Sequence, residues 1–204
     1  MTTVSTNLTP KAAADRSLHN AHMQQADFSL APFTIAWEVT RACAYACVHC
    51  RADAMHTPDP RELNTQEAFA LIDRLAAFGS PILVFTGGDP MMRKDLFDLI
   101  RYATEKGLRC SLTPTATALP TTERLEKARD AGIKRIALSL DAPTPEIHDN
   151  FRQVAGSWQR TMDILRRAQE IGLSVQVNTT VARHNVDILA DMVPFIQEVK
   201  AVQW

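Results

Sequence analysis

The sequence predicts an α/β protein built on a parallel sheet. Three observations carry that expectation. Strand-like and helix-like patterns alternate five times along the 204 residues, the order that βα crossovers require. The run 81–85 is short and almost wholly apolar, as suits a strand covered on both faces. Polar residues collect where each strand-like run stops, and in parallel α/β folds functional groups gather beyond those ends. An open doubly wound sheet and a barrel, whole or partial, both fit; the strands are too few for a full eightfold barrel.

The elements follow in order. Residues 1–32 read as a polar arm, with a short helix near Lys11 to Asp15. The domain proper is 33–204. Phe33, Ile35, Trp37 and Val39 alternate with polar or small residues, a half-buried first strand. Asn64 with Glu67 is a capping box, and Gly79 closes that helix. A second strand over 81–85 ends at Thr86-Gly87-Gly88-Asp89-Pro90. A helix over 95–106 and a strand over 108–113 follow, then a helix capped by Thr121. The fourth strand, 134–140, ends in Ser139-Leu140-Asp141. Pro145 starts a short helix, and Ser157 caps a longer one closed by Gly172. The fifth strand covers 173–181. A last helix opens at Asn185 or Asp187 and bends at Pro194. A sixth strand begins at Ala201, leaving strand five beside a short stub and Trp204 with little to pack against.

Composition narrows the function classes. A net charge of −1 disfavours nucleic acid as the main partner. No apolar run approaches a membrane span, and no signal-peptide core stands at the N-terminus. A cytoplasmic location, where thiols stay reduced, is expected.

Three of the four cysteines lie in Cys43-Ala-Tyr-Ala-Cys47-Val-His-Cys50. Thiols this close cannot bridge one another without strain. Metal is the better reading, and two kinds are open. A structural zinc would add His56 as a fourth ligand. A cubane iron-sulfur cluster held by three cysteines would keep one iron open. Arg41 and Arg51 flank the loop and are expected to lower its thiol pKa values. The lone Cys110 reads as a core residue.

The strand ends supply further candidates. Gly87 and Gly88 let backbone approach a ligand closely. Asp89 suits an ammonium group or a turn cap. Asp141, beside Ser139, suits ribose hydroxyls or a helix cap. Arg152 can clamp a carboxylate or lie solvated on the surface. Asn178 shares a strand face with Gln176, and Glu38 calls for a cation, with Arg41 the nearest in sequence. So many polar groups on one rim favour a cofactor site over a structural zinc.

In this order, these motifs resemble the radical S-adenosylmethionine (SAM) enzymes, closest to the SPASM branch of peptide-maturation and haem-biosynthesis enzymes. The cysteine loop follows strand one, the Gly-Gly motif strand two and Ser139-Leu140-Asp141 strand four, and Arg152 follows Ile147-His148-Asp149. The resemblance covers about 33–204. It implies a partial TIM-type barrel, here about five β/α units and the start of a sixth strand. It implies a 4Fe-4S cluster on Cys43, Cys47 and Cys50, with SAM contacted by His49, Gly87, Gly88, Asp89, Ser139, Asp141, Arg152 and Asn178. It implies a flavodoxin- or ferredoxin-type electron donor, reductive cleavage of SAM to a 5′-deoxyadenosyl radical, and hydrogen abstraction from a peptide or small molecule, a tetrapyrrole included. Asp89 stands where the family usually has Glu. The branch also adds a cysteine-rich C-terminal domain, so the chain is expected to be C-terminally truncated. The other expectations are a non-catalytic zinc- or cluster-binding protein, or an inactive fragment.

Overall fold

The structure is a computed structural model that describes residues 28, 30–79 and 81–204. The helix expected near Lys11 to Asp15 lies outside the described residues, as does nearly all of the arm.

Five parallel strands form one sheet: β1 (Thr34–Glu38), β2 (Ile82–Thr86), β3 (Arg109–Leu112), β4 (Arg135–Ser139) and β5 (Ser174–Asn178). Their spatial order is their sequence order, β1-β2-β3-β4-β5. An order without reversal is that of a partial barrel, not of a doubly wound sheet. Residues 201–203 extend the sheet beyond β5: Gln176 bridges Gln203 in parallel, and the Val202 N–H donates to the Val175 carbonyl at 2.9 Å. Trp204 is half exposed, yet its indole N–H donates to Thr179 Oγ1 at 2.8 Å.

The helices are α1 (Thr65–Ala77), α2 (Leu96–Glu105), α3 (Thr122–Asp130), α4 (Pro145–Arg152), α5 (Ser157–Glu170) and α6 (Val193–Glu198). Each of the first three begins near its sequence signal. Asn64 and Glu67 form the expected capping box, and Thr121 Oγ1 accepts from the Arg124 N–H. The buried helical residues recur at three- and four-residue spacing, as in Leu96, Leu99, Ile100 and Ala103. They pack on Leu83, Phe85, Leu112, Ile136, Leu138, Val175 and Val177 of the strands.

Three local expectations are corrected. β2 is not covered on both faces: Leu83 and Phe85 are buried while Ile82 and Val84 are only partly so. Burial on both faces is instead seen in β4, where Ile136, Ala137 and Leu138 are all buried. Ser157 does not cap α5. Gly156 holds the cap position at φ 73°, and Asp149 accepts from the Ser157 hydroxyl and the Trp158 N–H at 2.8 Å each. A carboxylate from the preceding helix thus satisfies a first-turn N–H of α5, that of Trp158. Pro194 does not bend a helix but lies in the first turn of α6, after a 3₁₀ segment at Val186–Met192. Among the described residues, no helix is long and apolar enough to cross a membrane.

Candidate functional site

The cysteine loop hangs from the carboxyl end of β1, and backbone holds its root. The Gly88 N–H donates to the Thr40 carbonyl at 2.8 Å and the Asp89 N–H to that of Ala42 at 2.7 Å. On the other side, Ala42 bridges Met55 in parallel, and the Cys43 N–H donates to the Met55 carbonyl at 2.7 Å. The loop root is therefore bonded through backbone on both sides. The glycines fit this requirement. A Cβ on Gly87 would stand 2.2 Å from the Thr40 carbonyl oxygen, and one on Gly88 2.5 Å from that of Ala42. The close approach read from these residues is, in the structure, an approach to the loop root.

Within the loop, Cys43 is buried and Cys47 and Cys50 are half-buried; all three are free thiols. Burial pushes the Cys43 and Cys47 thiols up. The cation that opposes this at Cys47 is Arg152. The expected thiol tuning by Arg41 and Arg51 is corrected, because both pair with carboxylates. Arg41 binds Asp53 at 2.7 Å and Asp59 at 3.4 Å; Arg51 binds Glu38 at 2.8 Å. Arg51, not Arg41, is the cation that Glu38 required.

Tyr45, central in the loop, is buried, and burial pushes its phenol up. Its hydroxyl donates to the Ala116 carbonyl and accepts from Arg160 Nε at 3.1 Å. Sequence reading passed over both residues, since a tyrosine between two cysteines and an arginine on a helix carry no motif.

The other end of the rim centres on Asp141, which is fully buried. Arg152 Nε donates to its Oδ2 at 2.7 Å, and the Thr180 N–H donates to its Oδ1 at 2.9 Å. Its backbone N–H donates to His148 Nδ1 at 3.0 Å, and its carbonyl accepts from Asn185 Nδ2 at 2.7 Å. His49 Nε2 stands 4.0 Å from Asp141 Oδ2. Arg152 is thus no solvated surface arginine; its side chain is 12% exposed. Arg152 and Asp141 form one ion pair. Sequence reading missed His148, which is wholly buried and pushed down to about 4, chiefly by burial and then by Arg152.

Rings join these regions. His49 stacks on Phe151 at 3.8 Å, and Phe151 on His184 at 3.7 Å. A cavity of about 630 Å³ opens beside the column, lined by Val48, Ile147, Phe151 and His184 among others. Asp89 is buried and engaged internally: its carboxylate accepts from the Met91 N–H at 3.1 Å and from Thr117 Oγ1 at 2.9 Å. Its turn-capping role is the one on view, and burial pushes its carboxyl up. Asn178 Oδ1 accepts from Gln176 Nε2 at 2.9 Å. Ser139, the last residue of β4, is half-buried.

The family model for the "Radical SAM superfamily" matches residues 37–195. The chain belongs to the radical SAM superfamily. It is 48% identical over 170 residues to an "AdoMet-dependent heme synthase" of Oleidesulfovibrio alaskensis, covering 83% of this chain and 44% of that one. It is 32% identical to a "PqqA peptide cyclase" of Rhodopseudomonas palustris, covering 79% and 43%. Among solved structures, Streptococcus suis SuiB bound to S-adenosylmethionine matches with a TM-score of 0.72 at 16% identity, covering 92% and 43%. The chain spans less than half the length of these relatives.

Radical SAM proteins use a 4Fe-4S cluster and SAM, and the residues present fit both. Cys43, Cys47 and Cys50 are free thiols in one loop, and a cubane held by three cysteines keeps one iron open for a second ligand. His56, the fourth zinc ligand considered, is exposed. Polar capacity also lies unused at the rim: His49 Nδ1, His148 Nε2 and His184 Nε2 are buried without a hydrogen-bond partner among the described residues.

Proposed function

We propose that residues 33–204 are the cluster- and SAM-binding core of a radical SAM enzyme that acts on a tetrapyrrole. The observation that carries the proposal is the placement of the three-cysteine loop. It is pinned by Gly87 and Gly88 on one side, with the Asp141–Arg152 pair nearby. Cys43, Cys47 and Cys50 would hold the cluster, leaving one iron open. His49, Gly87, Gly88, Asp89, Ser139, Asp141, Arg152 and Asn178 are the residues proposed around SAM. The bound pair supplies one-electron cleavage of SAM to a 5′-deoxyadenosyl radical. The chain's own groups orient and exclude water. Burial of Cys43 and the ring column shield the loop, and the Asp141–Arg152 pair offers a carboxylate and a guanidinium of fixed orientation.

A tetrapyrrole is favoured over a peptide by the 48% identity to a haem synthase against 32% to a peptide cyclase. A flavodoxin or ferredoxin would supply the electron, in the cytoplasm, where thiols stay reduced. Anaerobic reconstitution tests the core of the proposal. The chain should take up about four irons. Alanine at Cys43, Cys47 or Cys50 should abolish uptake, and Cys110→Ala should not. A full cluster in Cys47→Ala would end the assignment. With SAM and a reductant, 5′-deoxyadenosine release should rise with a carboxylated tetrapyrrole; a rise with peptide alone would select the peptide reading.

A further inference from the structure

We infer that Tyr45 and Arg160 are positioning residues for the cysteine loop, holding its ligating shape from outside the loop and through it the environment of the Cys43 sulfur. This rests on the reading that the three cysteines hold a cluster. Tyr45 lies two residues from both Cys43 and Cys47. Its hydroxyl is anchored twice, donating to Ala116 on the segment after β3 and accepting from Arg160 on α5. Arg160 does not serve Tyr45 alone. Its Nε also donates to the Ala116 carbonyl at 3.2 Å, and its Nη2 donates to the Ala155 carbonyl at 2.9 Å. The guanidinium carbon stands 6.0 Å from the Tyr45 ring centroid, within cation–π range. One planar fork thus ties the middle of the loop to two segments far away in sequence. A lysine, with a single point charge, cannot reproduce those directions.

The consequence reaches the metal ligands through backbone. The Tyr45 N–H donates to Cys43 Sγ at 3.4 Å, and Cys43 Sγ also lies 3.7 Å from Thr115 Oγ1 on the same anchoring segment. Hydrogen bonds to cluster sulfurs help set the reduction potential. An N–H aimed at a sulfur stabilises the reduced, more negative state more than the oxidised one. Where the Tyr45 side chain is fixed, its N–H is fixed. Where the anchor is lost, that bond loosens and the potential moves to a more negative value.

The experiment compares the wild-type chain with Tyr45→Phe, Arg160→Gln and Arg160→Lys after anaerobic reconstitution. Readouts are iron content, redox titration, the electron paramagnetic resonance of the reduced cluster, and the melting temperature of the metal-free chain. Tyr45→Phe keeps the ring and removes both hydroxyl bonds, so it should fold. It should bind wild-type iron, titrate at a more negative potential and show altered g-values. Arg160→Gln should shift the same way, with Arg160→Lys between it and wild type. Failure of these variants to take up a cluster, with metal-free circular dichroism unchanged, also supports positioning. A wild-type potential and spectrum in Tyr45→Phe overturns the inference even if its melting temperature falls, because the pair would then be structural only. A wild-type chain that takes up no cluster overturns the underlying reading, and does so before any variant is made.

Discussion

Where the glycine turn meets the root of the cysteine loop, backbone packs on backbone, whereas around Asp141 most contacts run through side chains. At the glycine turn the Gly88 and Asp89 N–H groups donate to the Thr40 and Ala42 carbonyls at 2.8 and 2.7 Å, in ladder-like bonds. At Asp141 the partners are a guanidinium and an imidazole, both from α4, and the carboxamide of Asn185. The first construction, the Gly87-Gly88 contact, has no charge to lose and no room to yield. The second depends on ionisation and can be tuned one group at a time. A loop that must present three thiols in fixed relation suits the first, and groups that must meet a charged ligand suit the second.

The largest effect should come from filling the backbone contact. Gly87→Ala adds a Cβ 2.2 Å from the Thr40 oxygen at φ +146°. Overpacking and backbone strain together should destabilise by roughly 4 kcal/mol. Gly88→Ala meets the Ala42 oxygen without a positive φ, so its urea midpoint should fall less. Equal midpoints would mean that sterics alone govern this half.

Breaking the ion pair comes next. Arg152→Ala leaves Asp141 buried and without its guanidinium, which should cost about 3–4 kcal/mol; the remaining Thr180 N–H keeps it toward the low end. Adding Asp141→Asn should cost less than the sum of the single losses. Additive losses would mean that the two residues act separately, as the sequence suggested, and the distinction between the halves would weaken.

Acid should act on the side-chain half. Asp141, Arg152, Asp149 and His49 surround His148, whose folded imidazole titrates near 4. The unfolded chain titrates it near 6.5, so between those values only the unfolded chain binds the proton. Stability is therefore full above pH 6.5 and falls as pH drops to about 4, by roughly 3 kcal/mol in all. His148→Gln should flatten that slope in denaturant titrations at several pH values. An unchanged slope would place the acid sensitivity elsewhere.

The smallest effect sharpens the comparison. Thr115 Oγ1 donates to the Gly88 carbonyl at 2.8 Å, a side-chain contact within the backbone half. Thr115→Val should cost only about 1 kcal/mol by thermal melting, with iron uptake retained. A much larger loss would show that this half also relies on side chains.

The fold was legible because strand and helix periodicity, the Asn64 and Thr121 caps and the strand-end motifs all pointed the same way. The cysteine loop was singled out by spacing alone, and it stands at the carboxyl end of β1 with its three thiols free. What escaped sequence reading was partnership across distance. Arg51 rather than Arg41 meets Glu38, Asp149 rather than Ser157 caps α5, and Arg152 meets Asp141. Each choice is made by tertiary geometry among several equally suitable charges. His148 carried no local signal, since its burial depends on α4 packing across the rim.

The strand order β1-β2-β3-β4-β5 also sets a timetable. A chain leaving the ribosome at roughly 5–20 residues per second can add each β/α unit to a neighbour already made. Yet the cysteines emerge first and their supports last. Gly88 follows Cys43 by 45 residues, and Arg160 follows Tyr45 by 115. At that pace the glycine turn arrives about 2–9 seconds after the first thiol, and the arginine fork about 6–23 seconds after the tyrosine. Through that interval the thiols are synthesised but not yet held in place. Cluster delivery to this chain is therefore expected to be a late event, completed after α5 has left the ribosome.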